Sequence, residues 1–231
     1  MDKAEYLKSL LKEVGGVTLV PRQKSLARES INSLPVVDTE EEMVTILKHP
    51  RIVLLVGTLS EKYPLVRKRV LLKLMEVAET LPKGLVLGVQ EAFRPVEIQE
   101  QYRERKFNSL REKFPEKTRE EIEKIVDIFV ARAGGPHQTG GAVDVTLAWS
   151  DTLAPLDMGT EFGMPGTKSF TDSIEISWEA QVHRYLLWSY MTAVGFRNYP
   201  AEWWHYEYGT KRWSRYMNLE SAFYPAISTT S

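Results

Sequence analysis

Two of the four histidines in this 231-residue chain stand beside carboxylates in settings suited to chemistry, and there is no cysteine. In Gly134-Gly135-Pro136-His137-Gln138-Thr139-Gly140-Gly141-Ala142-Val143-Asp144 a glycine-rich turn runs into an alternating segment. Val143, Val145 and Leu147 fall on one face of a strand, with Ala142, Asp144 and Thr146 on the other. Asp144 is thereby kept off the aliphatic face. The glycines let His137, seven residues earlier, fold back so that both side chains share one ion. A third ligand is offered by His205 in Glu202-Trp203-Trp204-His205. His49, which precedes Pro50, and His183, inside a helical stretch, are ordinary by comparison.

Two imidazoles and one carboxylate are the ligand count of a catalytic zinc site, which keeps a fourth position for water; structural zinc sites are closed by four protein ligands and often use cysteine. The expectation is one Zn2+ per chain at His137, Asp144 and His205. Zinc lowers the pKa of its water to about 7 and polarises a carbonyl, so a base is needed nearby. Glu202, three residues before His205, is the candidate. A regular strand would point these two side chains to opposite faces, so Glu202 is expected in the turn after Pro200. Attack on a carbonyl builds an oxyanion, for which Arg94, at a strand end fixed by Pro95, is the candidate partner, with Gln99 a helical turn further on.

The elements that must position these residues follow from periodicity. Residues 2–14 read as an amphipathic helix and the stretch to Val37 as an extended connection. Asp38 and Glu41 suggest a capped helix ending near His49-Pro50. Ile52 to Val56 reads as a strand, Pro64 to Leu81 as a core helix and Leu85 to Ala92 as a second strand delivering Arg94. Two polar helices follow, near 96–113 and 116–131, the second opened by the capping pattern Thr118-Arg119-Glu120-Glu121. After the central strand, 149–177 reads as a long loop at the mouth of a site. A helix from Trp178 to Val194 then leads to a hairpin carrying Trp203 to Tyr208. The sum is an α+β fold: one domain over 51–231 with a central antiparallel sheet flanked by helices, plus an N-terminal helical arm over 1–50.

Composition restricts the partners. Thirty basic and thirty-one acidic residues give a net charge of -1, which provides no footprint for nucleic acid or an anionic membrane. Apolar runs fall short of the roughly 20 residues of a spanning helix, and the charged N-terminus does not read as a secretory signal. A cytoplasmic protein acting on a small molecule is expected, and oligomeric state is not encoded in any visible pattern.

Taken together the motifs resemble the D-alanyl-D-alanine dipeptidase family of zinc peptidases, relatives of the vancomycin-resistance dipeptidase and, more distantly, of D,D-carboxypeptidases. His137, Gly140, Ala142 and Asp144 match its His-x-x-Gly-x-Ala-x-Asp motif, and Glu202, Trp204 and His205 its Glu-x-Trp-His motif. Phe93-Arg94-Pro95 with Gln99 resembles its arginine motif, and Leu156-Asp157-Met158-Gly159-Thr160 with Phe162 its intervening loop. The resemblance implies zinc at His137, Asp144 and His205, Glu202 as base then acid, Arg94 as transition-state stabiliser, and a small peptide such as D-Ala-D-Ala as substrate. Gly135 replaces a customary serine, and Gly163 replaces the aspartate associated with the substrate's free amino group. Glu161 and Asp157 are the nearest acids that could take over that role. The alternatives are a D,D-carboxypeptidase or other amide hydrolase with a different amino-side preference, and a non-catalytic metal binder, which would need neither Glu202 nor Arg94.

Overall fold

The computed structural model describes residues 20–21, 26–46, 49–55, 58, 63–130, 132, 134–164 and 166–227. The helix expected over 2–14 lies outside them. In chain order the elements are α1 (Arg28–Asn32), β1 (Met43–Thr45), β2 (Ile52–Leu54), β3 (Leu65–Arg67), α2 (Lys68–Thr80), β4 (Leu85–Glu91), α3 (Val96–Lys113) and α4 (Arg119–Phe129). A 3-10 turn (Pro136–Thr139) then precedes β5 (Ala142–Trp149), and a second one (Thr167–Ser169) precedes α5 (Trp178–Ala193), β6 (Arg197–Asn198), β7 (His205–Glu207) and α6 (Lys211–Tyr216).

β4 and β5, the longest strands, pair antiparallel at the centre of a five-stranded sheet of order β2-β4-β5-β7-β6. The sheet is mixed rather than purely antiparallel, because β2 runs parallel to β4. Val143, Val145 and Leu147 of β5 join Leu85, Leu87 and Val89 of β4 on one face. Helix α2 lays Val70, Leu71, Leu74, Val77 and Ala78 into the same core, and α5 lays in Val182, Leu186, Leu187 and Met191. Each such side chain contributes on the order of 1.5–3 kcal/mol by leaving water. With that face filled, the polar residues of β5 are left for the other.

Three expectations are corrected. The segment after Asp38 is not a helix: Asp38 Oδ1 accepts the Glu40 N–H at 2.9 Å in a local turn, Glu40 takes φ 54°, and Met43–Thr45 goes on as a strand. β-Branched Val44 and Thr45 suit extended pairing with Leu65–Arg67, and that partner explains the second correction. Leu65 and Val66 belong to a strand, so the core helix starts only at Lys68. The third is that the supposed connection before Val37 contains α1.

Residues 34–46 are sewn to the body. Val36 bridges Ala222, Leu34 and Ile46 are buried, and the buried Arg67 donates to the Glu41, Thr139 and Pro225 carbonyls. Helices α3 and α4 form a hairpin with a satellite core of Leu110, Ile122 and Val126. The capping box is present: Glu121 N–H donates to Thr118 Oγ1, and Thr118 N–H donates to Glu121 Oε2 at 2.8 Å. No helix among the described residues is long and apolar enough to cross a membrane.

Candidate metal centre

Register brings the ligands together. Asp144 of β5 sits opposite His205 of β7, and the 3-10 turn folds His137 back over the start of β5. That reversal requires Gly140 in the left-handed region (φ 70°), where a side chain would also strike Met43. His137 Nδ1–H donates to the Ala92 carbonyl at 2.8 Å, and His205 Nε2–H donates to Glu207 Oε1 at 3.0 Å. The opposite ring nitrogens, His137 Nε2 and His205 Nδ1, therefore face inward 3.2 Å apart, at 3.3 and 2.9 Å from Asp144 Oδ1.

Three ligand atoms about 2.0–2.1 Å from a zinc ion at tetrahedral angles stand about 3.4 Å apart, so this triangle is a slightly contracted tetrahedral face. All three residues are buried and form a group able to hold a metal ion. The surrounding carboxylates favour a positive charge among them. Burial disfavours a charged His205 ring, yet hydrogen bonds and charge from Asp144 and Glu207 outweigh it and push the pKa up to about 10. Burial likewise opposes an ionised Asp144, but the two histidines hold its carboxyl far below the usual carboxylate range. The donor set fits zinc, with a neutral-imidazole tautomer fixed at each ring by the partner on its outer nitrogen.

Glu202 lies, as expected, in the turn after Pro200: its N–H donates to the Tyr199 carbonyl at 3.0 Å, and its carbonyl accepts the His205 N–H at 3.1 Å. Its Oε2 is 4.0 Å from His205 Nδ1. The side chain keeps 38% of its surface, but that surface opens onto a walled cavity, and burial within it raises the carboxyl pKa. Arg94 stands on the same wall. Both of its outer edges are occupied, by the two oxygens of Glu91 and by Gln99 Oε1 at 2.7 Å, and its plane lies over Tyr102. Burial favours a neutral group, but Glu91 wins and raises the Arg94 pKa.

The cavity, of about 350 Å³, is lined by all five residues expected to carry chemistry: Arg94, His137, Asp144, Glu202 and His205. Phe162 and Gly163 of the 149–177 loop reach it, Phe162 packing edge-on to Trp204 with centroids 5.5 Å apart. Asp157 and Glu161 do not line it. Both are exposed, and the Asp157 carboxylate accepts the Gly159 N–H at 2.7 Å, holding the loop's own turn instead. The loop is fastened by Arg184 of α5. Its fully buried guanidinium donates to the Met158, Lys168 and Phe170 carbonyls and, at 3.4 Å, to Thr160 Oγ1, which also accepts Trp203 Nε1–H at 2.9 Å.

Sequence reasoning missed Glu91, Glu207 and Arg212. Glu207 is legible in hindsight, lying two residues from His205 on the same strand face. Burial opposes its charge, but Arg212, His205 and Thr210 lower its pKa to about 2. Glu91 left no such signal. In an undisturbed ladder Gln90 would oppose Asp144; a bulge between Val89 and Glu91 puts Glu91 there instead.

Fold and site together define a class: an α+β scaffold with an open His-Asp-His metal centre, and a carboxylate and a guanidinium on its wall. Residues 58–222 match the family described as D-ala-D-ala dipeptidase, and the chain belongs to that family. It is 33% identical over 94 residues to D-alanyl-D-alanine dipeptidase of Synechocystis sp., a stretch covering 36% of this chain and 38% of that one. It is 32% identical over 139 residues to the Enterococcus faecium enzyme of that name, covering 59% and 67%. It is also 32% identical over 124 residues to the Escherichia coli one, covering 54% and 55%. The matched stretches thus span between about two-fifths and two-thirds of these relatives. Among solved structures, a vancomycin-resistance D,D-pentapeptidase in complex with Zn(II) is similar at a TM-score of 0.44 and 19% identity, over 88% of this chain and 94% of that one.

Proposed function

We propose that the chain hydrolyses the peptide bond of small D-amino-acid dipeptides such as D-Ala-D-Ala, with one zinc ion held by His137, Asp144 and His205. The observation that carries this reading is the meeting of those three ligand atoms within one cavity that also presents Glu202 and Arg94. Family membership supports the substrate class. Zinc at this position supplies Lewis acidity, acidifying a water and polarising the scissile carbonyl.

The chain's own groups do the rest. Glu202, its carboxyl pKa raised by burial, takes a proton from the attacking water onto a carboxylate oxygen and gives it to the leaving amine, so the same proton is used twice. Arg94 meets the charge that develops on the carbonyl oxygen. It starts in a fixed orientation, gripped by Glu91 and Gln99, and needs no reorganisation as the charge forms. Glu207 keeps the inner nitrogen of His205 available.

Zinc content and D-Ala-D-Ala hydrolysis by the purified protein test the reading together. One zinc per chain and turnover are expected, with metal lost from His137→Ala; full retention of zinc by that variant would overturn the ligand assignment.

One observation favours a second reading of the amino side. The wall at Gly163 carries no carboxylate, and a Cβ there would meet nothing within 4 Å. An amide hydrolase taking a substrate with a blocked amino group fits that wall, and cleavage of N-acetyl-D-Ala-D-Ala at least as fast as of the free dipeptide would select it.

A further inference from the structure

Of the charged groups on the cavity wall, Glu91 holds Arg94, Arg212 is paired with Glu207, Asp144 is a ligand and Glu202 is the base. Arg28 remains. It reaches the wall from α1, a part of the chain before residues 58–222, and its side chain is exposed. Among the described residues its guanidinium donates one hydrogen bond, from Nη2 to the Asp127 carbonyl at 2.9 Å, and forms no ion pair. The acid beside it is already taken: Asp127 Oδ1 accepts from Arg103 and Oδ2 from Arg132, both at 2.6 Å. Glu123 lies 3.6 Å from Arg103 and is shared with Arg119 at 3.7 Å. Arg28 thus faces the cavity without a carboxylate partner among the described residues. A guanidinium fork with spare N–H donors at the rim of a cavity matches a carboxylate above other ligands.

We propose that Arg28 is a specificity-determining residue that binds a carboxylate of the substrate at the cavity rim. The proposal rests on the peptidase reading, since it concerns the ligand of the same cavity. The chemistry recognised is a carboxylate, supplied either by the C-terminus of a short peptide or by an acid attached on its amino side. The bond to Asp127 fixes the guanidinium at the end of α4 beside Val130, so that wall of the cavity selects for negative charge while the Gly163 wall offers none. A neutral terminal amide is bound there without this contribution.

The test is a binding cycle on the zinc-loaded protein in the Glu202→Gln background, which removes turnover, with Arg28 intact or changed to Ala or Lys. Calorimetry with D-Ala-D-Ala, D-alanyl-D-alaninamide and N-succinyl-D-alanyl-D-alaninamide reads the affinities. Arg28→Ala should weaken one of the two acids about 10-fold or more relative to the plain amide, with Arg28→Lys recovering part of the loss. Loss on D-Ala-D-Ala assigns the C-terminal source, and loss on the succinyl compound the amino-side source. Equal effects on all three ligands, no effect, or no binding of any of them overturns the proposal. Turnover of D-Ala-D-Ala by the unaltered protein is scored separately, so failure of the peptidase reading and failure of the Arg28 assignment give different results.

Discussion

At the scale of single residues, the proposed roles divide between groups that would hold a cation and groups that would handle protons and developing charge. His137, Asp144 and His205 are buried, with the outer nitrogens of both histidines engaged, whereas Glu202 keeps an open edge toward the cavity. Glu202→Gln should therefore keep its zinc and lose about 100-fold or more in turnover, measured as metal content and kcat on the same preparation. Arg94→Ala should lose on the order of 3 kcal/mol of transition-state stabilisation. It carries a structural penalty as well, because Glu91 is left as a buried carboxylate without its partner. Adding Glu91→Gln to Arg94→Ala should restore much of the melting temperature and none of the activity. Recovery of activity in the double variant would remove Arg94 from the chemistry.

At the scale of elements, what the sequence disclosed was the periodic part. Alternation from Ala142 placed Asp144 on the correct face, and the aliphatic spacing read over 64–81 gave α2, because those patterns express burial directly. The start of α2 and the nature of 38–49 were hidden for a physical reason: Met43–Thr45 and Leu65–Arg67 are too short to declare themselves and become strands only by pairing with each other. The bulge that turns Glu91 to Asp144 was hidden too, since a one-residue slip has no composition signature. Two elements yield predictions. Gly140→Ala places a side chain at φ 70° against Met43, at a cost of about 1–2 kcal/mol, and as His137 shifts, zinc affinity should fall along with stability in a titration. At the end of α4, Arg132 first and then Arg103 lower the Asp127 pKa below its unfolded value. The stabilisation is accordingly present above the ordinary aspartate pKa, about 3.9, and disappears as pH falls through the lower folded value. Asp127→Asn should be less stable than the unaltered chain near pH 7, and the gap should close below about pH 4 in denaturant titrations; a gap that persists there would show that the ion pairs are not its source.

At the scale of the whole molecule, one face of a mixed sheet is spent on the core, and the site occupies the strand ends where β4, β5 and β7 meet the 136–139 turn. The described residues of 26–46 are part of this body: they close the β1–β3 pair, abut the Gly140 turn through Met43 and set Arg28 on the cavity wall. The loop opposite is held by Arg184, whose charge is fully buried and has no carboxylate at ion-pair distance among the described residues; burial lowers its pKa to about 10. Swinging that loop outward would strand a guanidinium in an apolar interior with several donors unmet, a cost far larger than thermal energy supplies on the time scale of turnover. The stretches that Arg184 holds, at 158–160 and 168–170, are thus fastened to α5. Turnover should lack the viscosity dependence of a closing lid, and backbone amides of 158–160 and 168–170 should exchange with solvent only as slowly as those of α5, both being released in a single cooperative unfolding event.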